Sequence, residues 1–162
     1  MASRGWHRRQ KASEMPLRLT LKPDERVIVN GCILKNGPRR HVLEVENRAD
    51  VLRGDEMLDA ESATTPARRV AYQIQIGLVS PGHRAALLPQ IEAALRDLAH
   101  ALPRQAAVID RAEAALAEAN YYAAFRALTP VFSLEDQLLG AVNEVAHDPH
   151  CRTARRLHPQ TD

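Results

Sequence analysis

Aromatic residues and cysteines are scarce in this chain of 162 residues. Aromatic side chains make up 4% of it, and Cys32 and Cys151 are its two cysteines. Two cysteines so far apart favour reduced thiols in a cytoplasmic protein over a disulfide framework. No run of about 18 or more apolar residues occurs, and the basic N-terminus lacks the apolar stretch of a secretory signal. We therefore expect no association with a membrane.

The motifs of the common enzyme classes are also missing. The sequence contains no phosphate-binding P-loop, no GxSxG or HExxH motif and no glycine-rich cofactor turn. We therefore predict a protein that is not an enzyme and uses no cofactor. A superficially metal-like group occurs near the C-terminus: His147, Asp148, His150, Cys151 and His158. Its spacing matches no zinc template, so no metal site is predicted.

Charge is distributed unevenly along the chain, although the net charge is only +2. Residues 1–54 contain 12 lysines and arginines against 6 acidic residues, whereas residues 55–148 contain 7 against 13. Residues 149–162 again carry a small basic excess. A basic front attracts polyanions and an acidic back repels them, so the two halves are expected to bind different partners.

Hydrophobic periodicity predicts short strands between residues 17 and 53. Leu17, Leu19 and Leu21 alternate with polar residues, which is typical of a strand with one apolar and one polar-basic face. Further apolar runs occupy residues 26–29, 32–34, 42–45 and 51–53. Asn30-Gly31 between two of these runs is the dipeptide preferred in type I′ hairpins. Four or five such strands predict a small antiparallel sheet or barrel.

After Gly54 the apolar period becomes helical. Thr65 before Pro66 is a favourable start for a first helix ending near Val79. A stripe of apolar residues predicts a second helix: Leu87, Ile91, Leu95, Leu98 and Leu102. We place its start near Leu88, because Pro89 is tolerated best in a first turn. A third apolar stripe runs from Ile109 to Leu128, and a fourth helix is predicted after an interruption at Thr129-Pro130.

These signals predict an α+β protein with a small N-terminal antiparallel β-sheet or barrel, followed by a C-terminal bundle of three to four helices. We expect a disordered basic arm or a misassigned start at 1–14, a basic β part at 15–54, an acidic helical part at 55–146 and a disordered tail at 147–162. So small a sheet needs the helices or a second subunit to cover its apolar face. A homodimer is therefore one way in which that face becomes covered.

Several segments of the sequence resemble the FlbT family. The run from Leu17 to Gly31 resembles the opening of that family, and Met15-Pro16 resembles its usual start. Four further segments resemble later motifs of the family: Glu44-Val45-Glu46-Asn47, Val51-Leu52-Arg53, Thr65-Pro66-Ala67-Arg68-Arg69 and Asn120-Tyr121-Tyr122. The resemblance implies a regulator that binds the 5′ leader of flagellin mRNA and reduces its translation or stability. It also implies a small flagellar partner, FlaF.

A looser similarity suggests how such a protein contacts RNA. Residues 17–25 and 51–53 are similar to the first and last strands of CsrA-type regulators, β dimers whose edge strands and terminal arginine hold an RNA loop. Guanidinium groups pair with phosphate or guanine and also stack on bases. The candidate RNA-binding residues are Arg18, Lys22, Arg39, Arg40 and Arg53.

Two other interpretations stay open beside this one. A basic strand face is more often only solvated surface, and Trp6 is the sole aromatic residue of the basic half, so base stacking on an aromatic platform is not expected. Tyr121, Tyr122 and Phe125 lie at helical spacing and are expected in the core. The alternative function is a protein-binding adaptor whose acidic helices hold FlaF or flagellin in flagellum assembly.

Overall fold

A computed structural model describes residues 16–147 of the chain, with the side chains of residues 16–140. The predicted arm at 1–14 and the predicted tail and metal-like group beyond His147 lie outside the described residues. The chain divides into two compact units, and the boundary lies between Met57 and Leu58.

The described part of the first unit consists of short antiparallel strands. They are β1 (Leu17–Leu21), β2 (Arg26–Val29), β3 (Cys32–Lys35), β4 (His41–Val45) and β5 (Val51–Arg53). One sheet pairs β1 with β4, and the other places β2 between β3 and β5. The predicted N-terminal antiparallel β structure is therefore confirmed, in the form of two small sheets.

The period-2 pattern of these strands explains their shared core. Leu19 and Leu21 on β1 are buried with Val27 on β2, since residues two apart lie on the same face of a strand. Around them pack the half-buried side chains of Val29, Leu43, Val45 and Val51. The opposite face of β1 and β4 carries Arg18 opposite Glu44, and both residues are exposed.

The turn between β2 and β3 is the one that its dipeptide predicts. Asn30 and Gly31 have φ angles of 48° and 80°, and a type I′ turn requires this left-handed conformation at both central residues. The turn sets the register of the hairpin, in which Val29 pairs with Cys32 and Arg26 with Lys35.

The second unit is built from four helices within the described residues. They are α1 (Pro66–Val79), α2 (Arg84–Ala101), α3 (Ala106–Ala117) and α4 (Tyr121–His147). Short 3₁₀ turns at Pro81–His83 and Pro103–Gln105 precede α2 and α3. The largest fully buried side chains are Ile74, Ile91, Leu95, Ile109, Phe125, Leu128 and Val131. The helical C-terminal part is therefore confirmed, and the predicted stripe of α2 does form core.

Two predicted helix boundaries are wrong. The second helix begins at Arg84 and not near Leu88, because the 3₁₀ turn at Pro81–His83 leads directly into it. Pro89 consequently lies in the second turn of α2, where its missing N–H costs a backbone hydrogen bond. Full burial of Ile91 and Leu95 in the following turns offsets that cost.

The interruption predicted at Thr129-Pro130 lies instead ten residues earlier. The chain breaks at Ala119, which has a φ of 56°, and the side-chain oxygen of Asn120 then accepts a hydrogen bond of 2.9 Å from the amide of Ala123. This contact is typical of a helix N-cap. Helix α4 continues through Pro130, since the flanking Leu128 and Val131 are fully buried.

Close approach of α1 and α4 depends on a glycine. A Cβ atom placed on Gly77 would lie 2.4 Å from Cε1 of Tyr121. The Tyr121 ring is buried, and the guanidinium of Arg84 lies 4.5 Å from its centroid. Arg84 also donates a hydrogen bond of 2.8 Å from Nε to the Gly77 carbonyl. Neither the ring nor the guanidinium is therefore free to move away from an added methyl group.

We predict that Gly77→Ala destabilises the second unit. Overpacking costs about 1–3 kcal/mol, which outweighs the gain of at most about 1 kcal/mol from the higher helix propensity of alanine. Urea unfolding measures the change. Gly140→Ala is the matched control, because Gly140 also lies in a helix but has open space around it. A Gly77→Ala protein as stable as the control would contradict the close approach.

Candidate functional site

The turn after β1 is closed by its own glutamate. The backbone amide of Lys22 donates a hydrogen bond of 2.7 Å to Oε2 of Glu25, and the amide of Glu25 donates one of 3.2 Å to the Lys22 carbonyl. Asp24 between them has a φ of 58°, a conformation that short polar side chains tolerate better than most. The turn therefore has a defined shape, with the Glu25 carboxylate folded back over it.

The same carboxylate binds Arg53 at the end of β5. Oε1 of Glu25 accepts hydrogen bonds from Nε and Nη2 of Arg53 at 3.1 and 2.7 Å. Nη2 also donates to the carbonyl of Thr20 on β1 at 2.9 Å. The side chain of Glu25 is only 12% exposed and that of Arg53 35%. Arg53, held by this partly shielded ion pair, therefore links the two sheets of the first unit through its hydrogen bond to Thr20.

These contacts shift the acidity of both groups. The hydrogen bonds from the Lys22 amide and from the Arg53 guanidinium hold the pKa of Glu25 below its usual range. In return, the hydrogen bond to Glu25 raises the pKa of Arg53. Both shifts favour the charged forms, so the pair is present as an ion pair at neutral pH.

Asn36 ties the next loop to the same turn. It is a buried polar residue, and its Nδ2 lies 2.6 Å from the carbonyl of Lys22, 2.8 Å from that of Arg39 and 3.3 Å from that of Leu21. Its Oδ1 lies 2.8 Å from Nδ1 of His41. One amide group thus holds the end of β1, the loop before β4 and the first residue of β4 together.

The result is an exposed group of basic residues, Lys22, Arg39 and Arg40, which we call the basic corner. Within the described residues, their side chains form no hydrogen bond or ion pair with the protein. The neighbouring acidic groups are already paired, Glu25 with Arg53 and Asp24 with Lys35, the latter at 3.3 Å. The basic corner therefore presents exposed positive charge, although the Glu25 carboxylate attracts Lys22 in part.

Four of the five predicted RNA-binding residues lie around the same turn, and the fifth, Arg18, does not. Lys22 and Arg39 share the Asn36 amide, Arg40 follows Arg39 directly, and Arg53 reaches the same turn through Glu25. Arg18 lies farther back along β1, on the outer face opposite Glu44.

Sequence reasoning missed the three residues that build this corner: Glu25, Asn36 and His41. In the sequence, Asn36 is the first residue of Asn36-Gly37-Pro38, a run typical of a turn. Its buried amide makes a tertiary contact with Lys22, which is 14 residues away in the sequence. Hydrophobic periodicity does not predict such a contact.

A second candidate surface lies within the helical unit. An apolar groove of about 660 Å³ is formed by α1, α2 and α4. Its walls include Val70, Leu98 and Leu102, and at its rim the side chains of Leu138 and Leu139 are exposed to 48% and 52%. The described side chains of the helical unit therefore leave an apolar surface uncovered along this groove.

Glu135 lines this groove beside the N-terminus of α1. Although buried, its Oε1 accepts a hydrogen bond of 2.8 Å from the amide of Ala67, and its Oε2 accepts one from the hydroxyl of Thr65. A carboxylate of α4 thus caps the N-terminus of α1, where unpaired amides favour negative charge. Beside it, Arg68 binds Asp136 with two hydrogen bonds of 2.8 Å.

Among the residues that the structure describes, no group of three or more His, Cys, Asp or Glu side chains could hold a metal ion. Over the same part of the chain, every helix is too short or too polar to cross a membrane.

We predict that Glu25→Gln lowers the stability of the first unit in a pH-dependent way. Because the folded-state pKa of Glu25 is lowered, its carboxylate stabilises the fold fully above the ordinary pKa of a glutamate. That contribution is lost as the pH falls through the lowered folded-state value. Urea unfolding of wild type and variant, followed by hydrogen exchange of the strand amides, should show a difference in unfolding free energy that shrinks as the pH falls below the ordinary pKa of a glutamate.

Glu44→Gln is the control for this experiment, since Glu44 is an exposed glutamate of the same unit with no ion pair among the described residues. An equal gap between wild type and Glu25→Gln at all pH values would show that the carboxylate charge does not hold the turn.

Comparison with known proteins identifies the family. The family model described as "Flagellar protein FlbT" matches residues 17–139. A protein of Caulobacter sp. (strain K31) is 45% identical over 62 residues, which cover 38% of this chain and 47% of that protein. One of Rhodopseudomonas palustris (strain TIE-1) is 30% identical over 77% of this chain and 98% of its own length. One of Mesorhizobium japonicum is 27% identical over 82% and 91%.

All three relatives carry the name "Probable flagellum biosynthesis repressor protein FlbT". The match to the Caulobacter protein spans about half of that protein's length, whereas the family model spans both units of this chain. No solved structure matches it. With the family model covering three quarters of its residues, the chain belongs to the FlbT family.

Proposed function

We propose that this protein is a cytoplasmic regulator that binds the 5′ leader of flagellin mRNA through the basic corner and reduces translation or stability of the message. The observation that carries the proposal is the group of three exposed cations around the Asn36 amide, whose side chains form no hydrogen bond or ion pair among the described residues. The repressor names of the relatives support the regulatory part of the proposal. Neither a cofactor nor catalysis is needed for such a role.

The chemistry of the basic corner suits folded RNA. Phosphate contacts supply most of the affinity of such complexes and position the protein, and arginine forks bind phosphate oxygens in pairs. Because Arg39 and Arg40 extend from a loop that Asn36 anchors at both ends, less backbone freedom is lost when they bind. An RNA loop with exposed bases offers phosphates at close and irregular spacing, which a compact corner can reach.

The predicted contacts of Arg18 and Arg53 fit the proposal in different ways. Arg18 lies on the outer face of β1, where it could extend the contact along the strand. The side chain of Arg53 is 35% exposed, but two of its nitrogens already donate hydrogen bonds to Glu25 and Thr20. In the proposal, Arg53 mainly positions the turn that carries Lys22, and its replacement would perturb the fold as well as binding.

We predict that the double variant Arg39→Ala/Arg40→Ala binds a labelled flagellin leader more weakly at low salt. Each lost phosphate contact should also make the plot of log K against log salt concentration shallower by about 0.7 units, the value for single strands. Fluorescence anisotropy at several salt concentrations measures both effects. Stability should change by less than about 0.5 kcal/mol, because both side chains are exposed.

The matched control is Arg96→Ala/Arg104→Ala, which removes two exposed arginines from the second unit. If the corner and control variants bind with the same affinity and salt slope, the basic corner is not the site. If the wild type fails to bind the leader at low salt, direct RNA recognition by this protein alone is wrong.

A second candidate function is supported by the groove of the helical unit. In this alternative the protein is an adaptor that holds FlaF or flagellin, and effects on the message follow indirectly. The supporting observation is the apolar groove with Leu138 and Leu139 exposed at its rim. Large exposed apolar side chains next to a groove are typical of a protein-binding surface.

We predict for this alternative that Leu138→Ser/Leu139→Ser weakens binding of purified FlaF or flagellin at least about tenfold, because removing two half-exposed leucines from an interface costs more than about 1.4 kcal/mol. Isothermal titration calorimetry measures the affinity, and leader binding should be unchanged. Val42→Ser is the control, since Val42 is a similarly exposed apolar residue, at 53%, in the first unit. Unchanged protein binding would remove the groove from the interface.

A further inference from the structure

The amide of Asn36 can be oriented in only one way. Three backbone carbonyls, those of Leu21, Lys22 and Arg39, surround one end of the group. Carbonyl oxygens only accept hydrogen bonds, so the NH₂ group must point to them and Oδ1 must point away. The reverse orientation would place an oxygen against three oxygens inside a buried site.

This orientation fixes the tautomer of His41. Oδ1 of Asn36 only accepts, and it lies 2.8 Å from Nδ1 of His41. Nδ1 must therefore carry a hydrogen and donate it. In the neutral ring the proton is then absent from Nε2, so the atom on the far side of the imidazole is a hydrogen-bond acceptor.

The His41 ring is accessible at the basic corner. His41 is exposed and directly follows Arg39 and Arg40 in the chain. The residue beside its Cε1 is Gly37, where even an added Cβ would be 4.0 Å away. The charged side chains of the corner itself, Lys22, Arg39 and Arg40, are donors only. Nε2 of His41 is thus a side-chain acceptor among cations that bind phosphate without regard to sequence.

We propose that His41 reads the RNA base held at the basic corner by accepting a hydrogen bond at Nε2 from an exocyclic amino group. This inference rests on the RNA binding proposed above. Cytosine carries such a group at N4, whereas uracil has an acceptor oxygen at the same position. At that position of the base, the imidazole therefore favours the amino group of cytosine over the carbonyl oxygen of uracil.

The test compares two stem-loop RNAs that share one stem and differ only in the loop, which is all cytidine or all uridine. One net hydrogen bond of about 0.5–1.5 kcal/mol corresponds to a preference of about two- to tenfold. The wild-type protein should bind the cytidine loop more tightly by that factor in fluorescence anisotropy. The variant His41→Asn should bind both loops equally, with the affinity of the wild type for the uridine loop and an unchanged salt slope.

Asparagine is chosen because its amide nitrogen replaces Nδ1, so that the hydrogen bond to Asn36 is kept while Nε2 is removed. Thermal unfolding checks that the corner is intact. Equal binding of both loops by the wild type would overturn the inference, and so would a cytidine preference that survives in His41→Asn. A variant that loses affinity for both loops alike would show that His41 acts only on the shape of the corner. A wild-type protein that binds neither loop would refute the proposed RNA binding itself.

Discussion

The carboxylate of Glu25 accepts hydrogen bonds from the Lys22 amide and from the Arg53 guanidinium, and the geometry of the first unit depends on this double use. Through Lys22 it closes the turn between β1 and β2. Through Arg53 it joins β5 to the Thr20 carbonyl on β1. Two small sheets with few buried side chains have little hydrophobic stabilisation. The hydrogen bond from Arg53 to Thr20, which joins the sheets and is held by the ion pair with Glu25, therefore has a large effect on their relative position.

Asn36 extends this constraint from the strands to the loop. A buried amide is costly unless its donors and its acceptor are satisfied, and here carbonyls occupy the donor side and His41 the acceptor side. Alanine at this position would leave the carbonyls of Lys22 and Arg39 without their shared partner. The loop would then lose its anchor, although the strands on either side would keep their own ladders. The position of the cations thus depends on a neutral residue.

Much of the fold could be predicted from local signals. The alternation of Leu17, Leu19 and Leu21, the Asn30-Gly31 turn and the Thr65 cap each act within a few residues, and each occurs where its chemistry indicates. The helix boundaries failed where tertiary packing outweighed a local preference. Burial on both sides of Pro130 keeps α4 continuous. Ala119 adopts a left-handed conformation that alanine does not prefer, and the local signal of the true break was Asn120, a favourable N-cap residue.

The candidate site shows the same division. Basic residues could be selected from the sequence, but which of them carry free charge depends on pairing across the fold. Arg53 is committed to Glu25, and Lys35 to Asp24. Arg18 directly faces Glu44 in the β1–β4 register, and an opposite charge on the same face reduces its attraction for phosphate. Among the described residues, the side chains of Lys22, Arg39 and Arg40 form no ion pair, although Glu25, already paired with Arg53, also attracts Lys22. The local field of the first unit therefore follows from which acids are already paired, and the basic excess of residues 1–54 alone does not locate it.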